Sequence, residues 1–409
     1  MKEDKLISFE EAIDKVLESV RPLPVFEVSV QNAFGLFVAR PVLAPEDIPA
    51  APISAMDGYA VPRAIFEQLG ENGTASARVI GEILAGRPGF EEEPGGDEVV
   101  RIFTGGVVPS WAMAVIKQED TRLIDGKVVF ECRPKEHQYI RDKGSDVRRG
   151  DVVIAEGEQA TPQAVGLLCA LGIERVLVRP KPRIGILVTG SEVVASGMLN
   201  HGQIRDSNGP ALEAMAFALG AKEVFRDNAP DDVDAIKNAI QKLLGKVDLL
   251  MTTGGVSVGK YDMMRDVLES IGFRRIFWRV AQRPGMPIFA GERDGLVVLG
   301  LPGNPASALA SFLCYGWPAI RRLQGARNER VRLKAIMKEP ARKHRGFTAM
   351  LRAKRSYEGA TIFVETTGPQ ESHQLLPFVQ ADCLILGPPD KEVLERGSEV
   401  EIVPFPWAV

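Results

Sequence analysis

The chain has 409 residues, 45% of them hydrophobic and 25% charged, an ordinary globular composition with room for roughly two to four domains. A formal net charge of −4 argues against a general nucleic-acid binder, and no apolar run is long enough to span a bilayer. Cys132, Cys169, Cys314 and Cys383 stand far apart with no C-x-x-C pair, and the charged opening MKEDKLISFEEAIDKVLESV lacks an apolar signal core, so neither a zinc site nor a disulfide framework is expected, and a cytoplasmic protein with reduced thiols is.

From Ser8 to Val20 the pattern is helical. Ser8 is an N-cap with Glu11 three residues on, and Ile13, Val16, Leu17 and Val20 fall on one face. Val25 to Ala51 alternates and is broken by prolines, which suggests short strands in an irregular region. From about Tyr59 to Ile140, short strands such as ARVIGEILAG, EVVRIFTGG and KVVFECRP are punctuated by Gly and Pro, a β-rich module of barrel type. A helix follows from about Thr161 to Leu171, with Thr161 as N-cap and Pro162 at its first position.

At Arg183 the texture changes to alternating strands and helices. RIGILVTG, KEVFRDNAP, VDLLMTT, RIFWRVA and GLVVLGLPG read as strands. GPALEAMAFALG, DDVDAIKNAIQKLLG, DMMRDVLESIG and NPASALASFLCYGWPAIRRLQG read as helices. This is a doubly wound α/β domain with a mostly parallel sheet, and ligands sit beyond the carboxyl ends of such strands. After Gln324 the sequence turns β-rich again and ends in a small all-β, barrel-like module.

The stretch TTGGVSVGKYD resembles a phosphate-cradling loop, but Tyr261 stands where a Ser or Thr would hold Mg²⁺, and Asp262 follows. It is one of three loops that should converge at the sheet edge. LVTGSEVV carries Glu192, TTGGVSVGKYD carries Gly254, Gly255, Ser257 and Asp262, and LPGNPAS carries Pro302, Gly303, Asn304, Pro305 and Ser307. Glycine N–H groups and a helix N-terminus make an anion site, and carboxylates beside it imply a bridging divalent cation, for which Mg²⁺ fits best. Arg279 and Arg283 lead into a Pro-Gly turn near that site and suit anion binding. Asp57 lies in a loop between prolines, where an acid is ordinarily a turn former. The four histidines show no ligand spacing.

Together PISAMDGYAV, RIFTGG, YIRDKGSDV, ILVTGSEVV, GQIRDSNGPAL, TTGGVSVGKYD and GLPGNPAS resemble the molybdopterin molybdenumtransferases, the MoeA family that includes the E domain of gephyrin. The resemblance runs from about Ser8 to the C-terminus. It implies a homodimer of four-domain chains, with residues 1–26 and 145–181 forming an α+β domain and 27–144 a β-rich insertion. Residues 182–325 would form the α/β molybdopterin-binding domain and 326–409 a C-terminal β domain. The implied reaction takes adenylylated molybdopterin and molybdate, cleaves the pyrophosphate bond with Mg²⁺, releases AMP and leaves molybdenum on the dithiolene. The implied partners are a second copy of the chain and the molybdopterin adenylyltransferase, with no nucleic acid and no membrane.

Carried across by position, Asp57, Glu192, Asp231 and Asp262 match the family's acidic site residues, with Glu192 and Asp262 toward the metal. The resemblance implies that Asp57 and Thr104 reach in across the dimer. Gly254, Gly255, Ser257, Arg279, Arg283, Pro302 to Pro305, Ser307, Arg352 and Ser372 match substrate or oxyanion contacts. The family usually places lysines at 279, 283 and 286; Arg279 and Arg283 keep the charge and Met286 loses it. Trp111 and Met113 stand where the family commonly has Gly and Asp. These departures leave as alternatives a divergent paralogue that handles tungstate and a non-catalytic cofactor-binding scaffold.

Overall fold

Residues 6–70, 73–255 and 263–408 are described by a computed structural model. They fall into two units, Met1–Arg40 with Glu156–Thr161 and Arg175–Val409, and Pro41–Ala155 with Pro162–Glu174.

In the first unit, six strands form one sheet in the order Glu223–Ala229, Arg183–Thr189, Leu249–Thr253, Leu296–Leu301, Phe289–Arg293, Arg274–Trp278. The first four are parallel and the last two pair antiparallel. The expected α/β sheet is therefore present, with one strand, Phe289–Arg293, that the sequence reading passed over. Successive side chains point to opposite faces. Ile184, Ile186, Val188, Leu249, Met251 and Leu299 enter one core, and Leu187, Leu250 and Val298 enter the other. Helix Asn208–Ala218 covers the first face, and helices Val233–Leu243 and Met263–Ser270 cover the second. The chain steps from Arg183–Thr189 outward to Glu223–Ala229, then back across to Leu249–Thr253. That reversal opens a crevice beyond the carboxyl ends of the two central strands.

The expected closing helix is three consecutive segments: Pro305–Ser311, a π-helical turn Phe312–Gly316, and Trp317–Leu323. Pro318 lacks an N–H and cannot continue an ordinary ladder, so a widened turn just before it accommodates the break. The N-terminal helix is Phe9–Ser19, and the Ser8 hydroxyl accepts from the Glu11 N–H at 3.2 Å, as the capping pattern predicts. Its buried Phe9 meets Tyr315 edge to face at 5.8 Å.

The C-terminal segment closes into a five-stranded barrel. Thr348–Glu358, Thr361–Thr366, Leu333–Met337, Glu399–Pro404 and Cys383–Gly387 pair in turn, and the last pairs back with the first. Small and large side chains such as Ala335, Met337, Ala353, Val364 and Ile402 fill it.

The second unit carries a six-stranded sheet in the order Ala112–Lys117, Gly58–Pro62, Glu98–Ile102, Ala75–Ile83, Lys127–Phe130, Thr121–Ile124. Among the described residues its two outer strands do not pair, so the barrel expected here is an open sheet. The reason is a helix, Arg63–Gln68, absent from the sequence reading. Its Ile65 and Phe66, with Leu69 beyond it, cover one sheet face and pack on Val61, Ala77, Val99, Ile116 and Phe130. A face sealed by a helix has no need to close on itself.

Candidate functional site

The crevice of the α/β sheet is a cleft of about 800 Å³. Its walls include Gly190, Glu192, Asp231, Gly254, Gly255 and the run Pro302 to Pro305. The three strand-end loops singled out in the sequence thus meet in one place. Gly254 sits at φ +93, and a Cβ there would lie 2.2 Å from the Thr189 carbonyl oxygen. Only glycine allows the two loops to approach so closely. Ser257, Lys260 and Asp262 lie outside the described residues.

A buried polar hub ties these loops together. Asn208, 8% exposed, donates from Nδ2 to Thr253 Oγ1 at 2.9 Å and to the Gly303 carbonyl at 2.8 Å. Gly303 O can only accept, so the amide orientation is fixed. Thr253 Oγ1 in turn donates to the Pro302 carbonyl at 2.9 Å. One side chain on a helix start therefore locks two strand-end loops. Asp206 caps the same helix, accepting from the Gly209 N–H at 2.8 Å. Asn208, Thr253 and Asp206 were not picked out from the sequence, although DSN immediately before an apolar helix was a readable cap signal.

Asp231 is held by a reciprocal pair. Its carboxylate accepts from the Ser191 N–H at 3.1 Å, and its own N–H donates to Ser191 Oγ at 3.0 Å. This brings Asp231 beside Glu192, on two different strand ends. Glu192 is exposed, and its carboxylate accepts no hydrogen bond among the described residues. Among the described residues no three His, Cys, Asp or Glu side chains gather into a metal site. Two carboxylates beside glycine N–H groups still suit Mg²⁺, which keeps its waters and shares phosphate oxygens.

Asn304 and Ser372 are joined, with Asn304 Nδ2 donating to Ser372 Oγ at 3.0 Å, and the Ala306 N–H bonds the Ser372 carbonyl at 3.0 Å. Ser372 follows the loop that buried Arg352 holds. That guanidinium, 1% exposed, donates to the carbonyls of Glu371 at 3.1 Å and Pro369 at 2.8 Å. Burial lowers its affinity for the proton from the ordinary arginine value. Arg352 thus shapes the loop next to the cleft. His373, set aside in the sequence, lines the cleft together with Leu375.

Arg279, Arg283 and Ser307 are not among the residues that line the cleft, whereas Pro287 is. Arg279 lies over the Trp278 ring and Arg283 over the Phe347 ring, with guanidinium carbons 4.5 and 4.9 Å from the centroids. Ser307 is buried at 2% exposure in the helix that follows Asn304. Met286 is half-buried and its carbonyl accepts from the Val280 N–H at 3.0 Å.

In the second unit Asp57 is gripped by one residue. Its Oδ1 accepts from the Thr104 N–H at 2.7 Å and from Thr104 Oγ1 at 2.8 Å. These bonds hold the carboxyl below the ordinary value of 3.8, with the Arg101 charge adding to the effect. Gly58, where a Cβ would lie 2.0 Å from the Ile116 carbonyl oxygen, fixes the strand that presents it. Ser54 braces the other side, its hydroxyl donating to the Met56 carbonyl at 2.6 Å. Trp111 and Met113 are packing residues. The Trp111 indole N–H donates to the Phe90 carbonyl at 3.0 Å, and both side chains lie against the hydrophobic cores of this unit.

Comparison with known proteins agrees along nearly the whole chain. Residues 7–172 match the MoeA N-terminal region (domain I and II), 185–322 a probable molybdopterin binding domain, and 334–405 the MoeA C-terminal region (domain IV). A molybdopterin molybdenumtransferase of Haemophilus influenzae is 34% identical, over 98% of this chain and 99% of its own. One of Staphylococcus aureus is 29% identical over 97% and 95%. The crystal structure of a molybdopterin biosynthesis MoeA protein from Pyrococcus horikoshii superposes with a TM-score of 0.83 at 27% identity, covering 98% of this chain and all, 100%, of that one.

Proposed function

The chain belongs to the MoeA family of molybdopterin molybdenumtransferases, and from that premise we propose that it inserts molybdate into adenylylated molybdopterin, cleaving the pyrophosphate bond and releasing AMP. Membership makes it a transferase of molybdenum cofactor biosynthesis. The observation that carries the finer reading is the cleft in which Glu192 and Asp231 stand beside the glycine loops at 190 and 254–255.

A diphosphate needs N–H donors and a neutralising cation. The Gly190, Gly254 and Gly255 loops offer close backbone approach, because no side chain intervenes. Glu192 is the carboxylate free to turn toward a cation, joined in this proposal by Asp262. Bound Mg²⁺ would neutralise charge on the diphosphate oxygens. Asp231, anchored through Ser191, holds a fixed negative charge at the cleft wall. Ser372 and Asn304 close one side as a hydroxyl–amide pair. Arg279 and Arg283 supply the cations for the molybdate dianion, and Arg352 sets the loop that carries Ser372.

The proposal includes a cytoplasmic homodimer in which Asp57, with Thr104, serves the partner's cleft, and a contact with the adenylyltransferase that supplies the substrate. It keeps the four-domain division expected from the sequence. Tungstate, a dianion of the same shape, is an alternative substrate. The divergent-paralogue alternative loses two of its motives, since Trp111 and Met113 serve packing in this chain, and Met286 remains the motive for the scaffold.

The test is turnover of adenylylated molybdopterin with molybdate and Mg²⁺, following AMP. Release that depends on both supports the proposal; tight substrate binding without AMP release would favour the scaffold.

A further inference from the structure

We propose that Trp278 and Arg265 are positioning residues that hold the Arg279 guanidinium for capture of a tetrahedral oxyanion. The inference rests on the reading of Arg279 as an oxyanion contact. It adds two residues to that role, and it explains how an arginine fills it.

Topology places all three. The strand Arg274–Trp278 pairs antiparallel with Phe289–Arg293, which pairs antiparallel with Leu296–Leu301. Two reversals restore the direction, so Arg274–Trp278 points the same way as the parallel strands. Its carboxyl end delivers Arg279 to the edge that carries the Gly190 and Gly254 loops. The helix Met263–Ser270 starts at that edge too, because the Met264 N–H donates to the Gly255 carbonyl at 3.3 Å. Arg265 stands in its first turn.

The Trp278 ring then gathers both cations. The Arg279 guanidinium carbon lies 4.5 Å from the ring centroid and that of Arg265 lies 4.6 Å away. Both are within cation–π range. The Arg279 backbone takes φ +71, a left-handed conformation uncommon for a residue with a side chain. Such strain concentrates at ligand clamps. Arg279 Nε and Trp278 Nε1 are both buried and have no hydrogen-bond partner among the described residues. Trp278 is itself only 9% exposed. Arg265 is paired with Asp266, its Nη2 lying 2.9 Å from Oδ1, so it braces the ring from its helix while Arg279 carries the charge that meets the anion. A planar guanidinium can lie flat on the indole and still offer its edge; an ammonium cannot do both.

The experiment titrates the full chain with molybdate alone and with inorganic phosphate alone, by calorimetry. Arg279→Ala, Arg279→Lys, Trp278→Leu, Trp278→Phe and Arg265→Met are compared with the parent. We expect Arg279→Lys, Trp278→Leu and Arg265→Met each to weaken one of the two anions about three- to tenfold, with Trp278→Phe restoring most of the loss. The anion affected identifies the source, metal oxyanion or substrate phosphate. If Arg279→Ala binds both anions like the parent, the reading of Arg279 itself fails. If Arg279→Ala weakens binding but Trp278→Leu and Arg265→Met do not, Arg279 remains a contact and the positioning role is overturned. Arg265→Met alters a partly exposed side chain, so it decides the matter even where Trp278→Leu disturbs the fold.

Discussion

The acidic residues of the two units are held in opposite ways. Asp57 receives two hydrogen bonds from a single residue, Thr104, and stays ionised below the ordinary carboxylate range. Glu192 sits on an exposed loop, and its carboxylate accepts nothing among the described residues. A carboxylate with one oxygen held by two donors keeps one geometry and favours its charged form. A carboxylate left open can turn to meet a cation that arrives with its substrate. Under the proposed function, Asp57 has a fixed electrostatic task and Glu192 a task that begins when ligand binds.

The sharpest way to break this contrast is to delete the fixed charge. Asp57→Ala is expected to lower AMP release about a hundredfold, the scale of losing one preorganised electrostatic group, with the melting temperature almost unchanged. Equal turnover would remove Asp57 from the chemistry. Next in size is the hub that holds the cleft itself. Asn208→Ala leaves the Gly303 carbonyl without its donor, costing about 1–3 kcal/mol of stability, which a denaturant titration reads directly. Activity should fall with it, because the Thr253 and Gly303 loops lose their shared tie.

Thr104→Val sharpens the comparison more gently. It removes the hydroxyl donor and keeps the backbone one. The folded Asp57 pKa lies below 3.8, so its contribution is present above that value and is lost only as pH falls through the lower folded value. In the variant that pKa rises toward 3.8, so the acid limb of the pH–rate profile should move upward. A limb that does not move would show that Asp57 does not set it. The smallest effect is expected from Met286→Lys. Met286 is half-buried and follows two arginines, Arg279 and Arg283, that already carry positive charge, so a third charge should change molybdate affinity by less than about twofold and fade with added salt.

The sequence was most readable where local pattern and burial agree. The capped helix Phe9–Ser19 and the apolar strands Arg183–Thr189 and Leu249–Thr253 announced themselves, since the helix buries one apolar face and the strands bury nearly every residue. The convergence of the loops at Glu192, Gly254 and Pro302 followed from strand order alone. Other features depend on contacts that no local pattern encodes. The helix Arg63–Gln68 is six residues long, too short for periodicity to separate it from a strand. Phe289–Arg293 hid because Gly291 and two charged residues dilute its alternation. Arg352 reads as a surface cation on a strand, yet it is buried and bonded to two carbonyls of a loop. Asn208 reads as one more cap, and only the fold shows it spanning two loops.

The central claim is that the cleft at Glu192 handles the diphosphate together with a divalent cation. The most direct test is the Mg²⁺ dependence of AMP release in Glu192→Gln, which keeps the shape of the side chain and removes its charge. Half-maximal release is expected to need at least about tenfold more Mg²⁺ than the parent, with the fold intact by thermal melting. A variant that releases AMP at the parental rate with the parental Mg²⁺ dependence would contradict it.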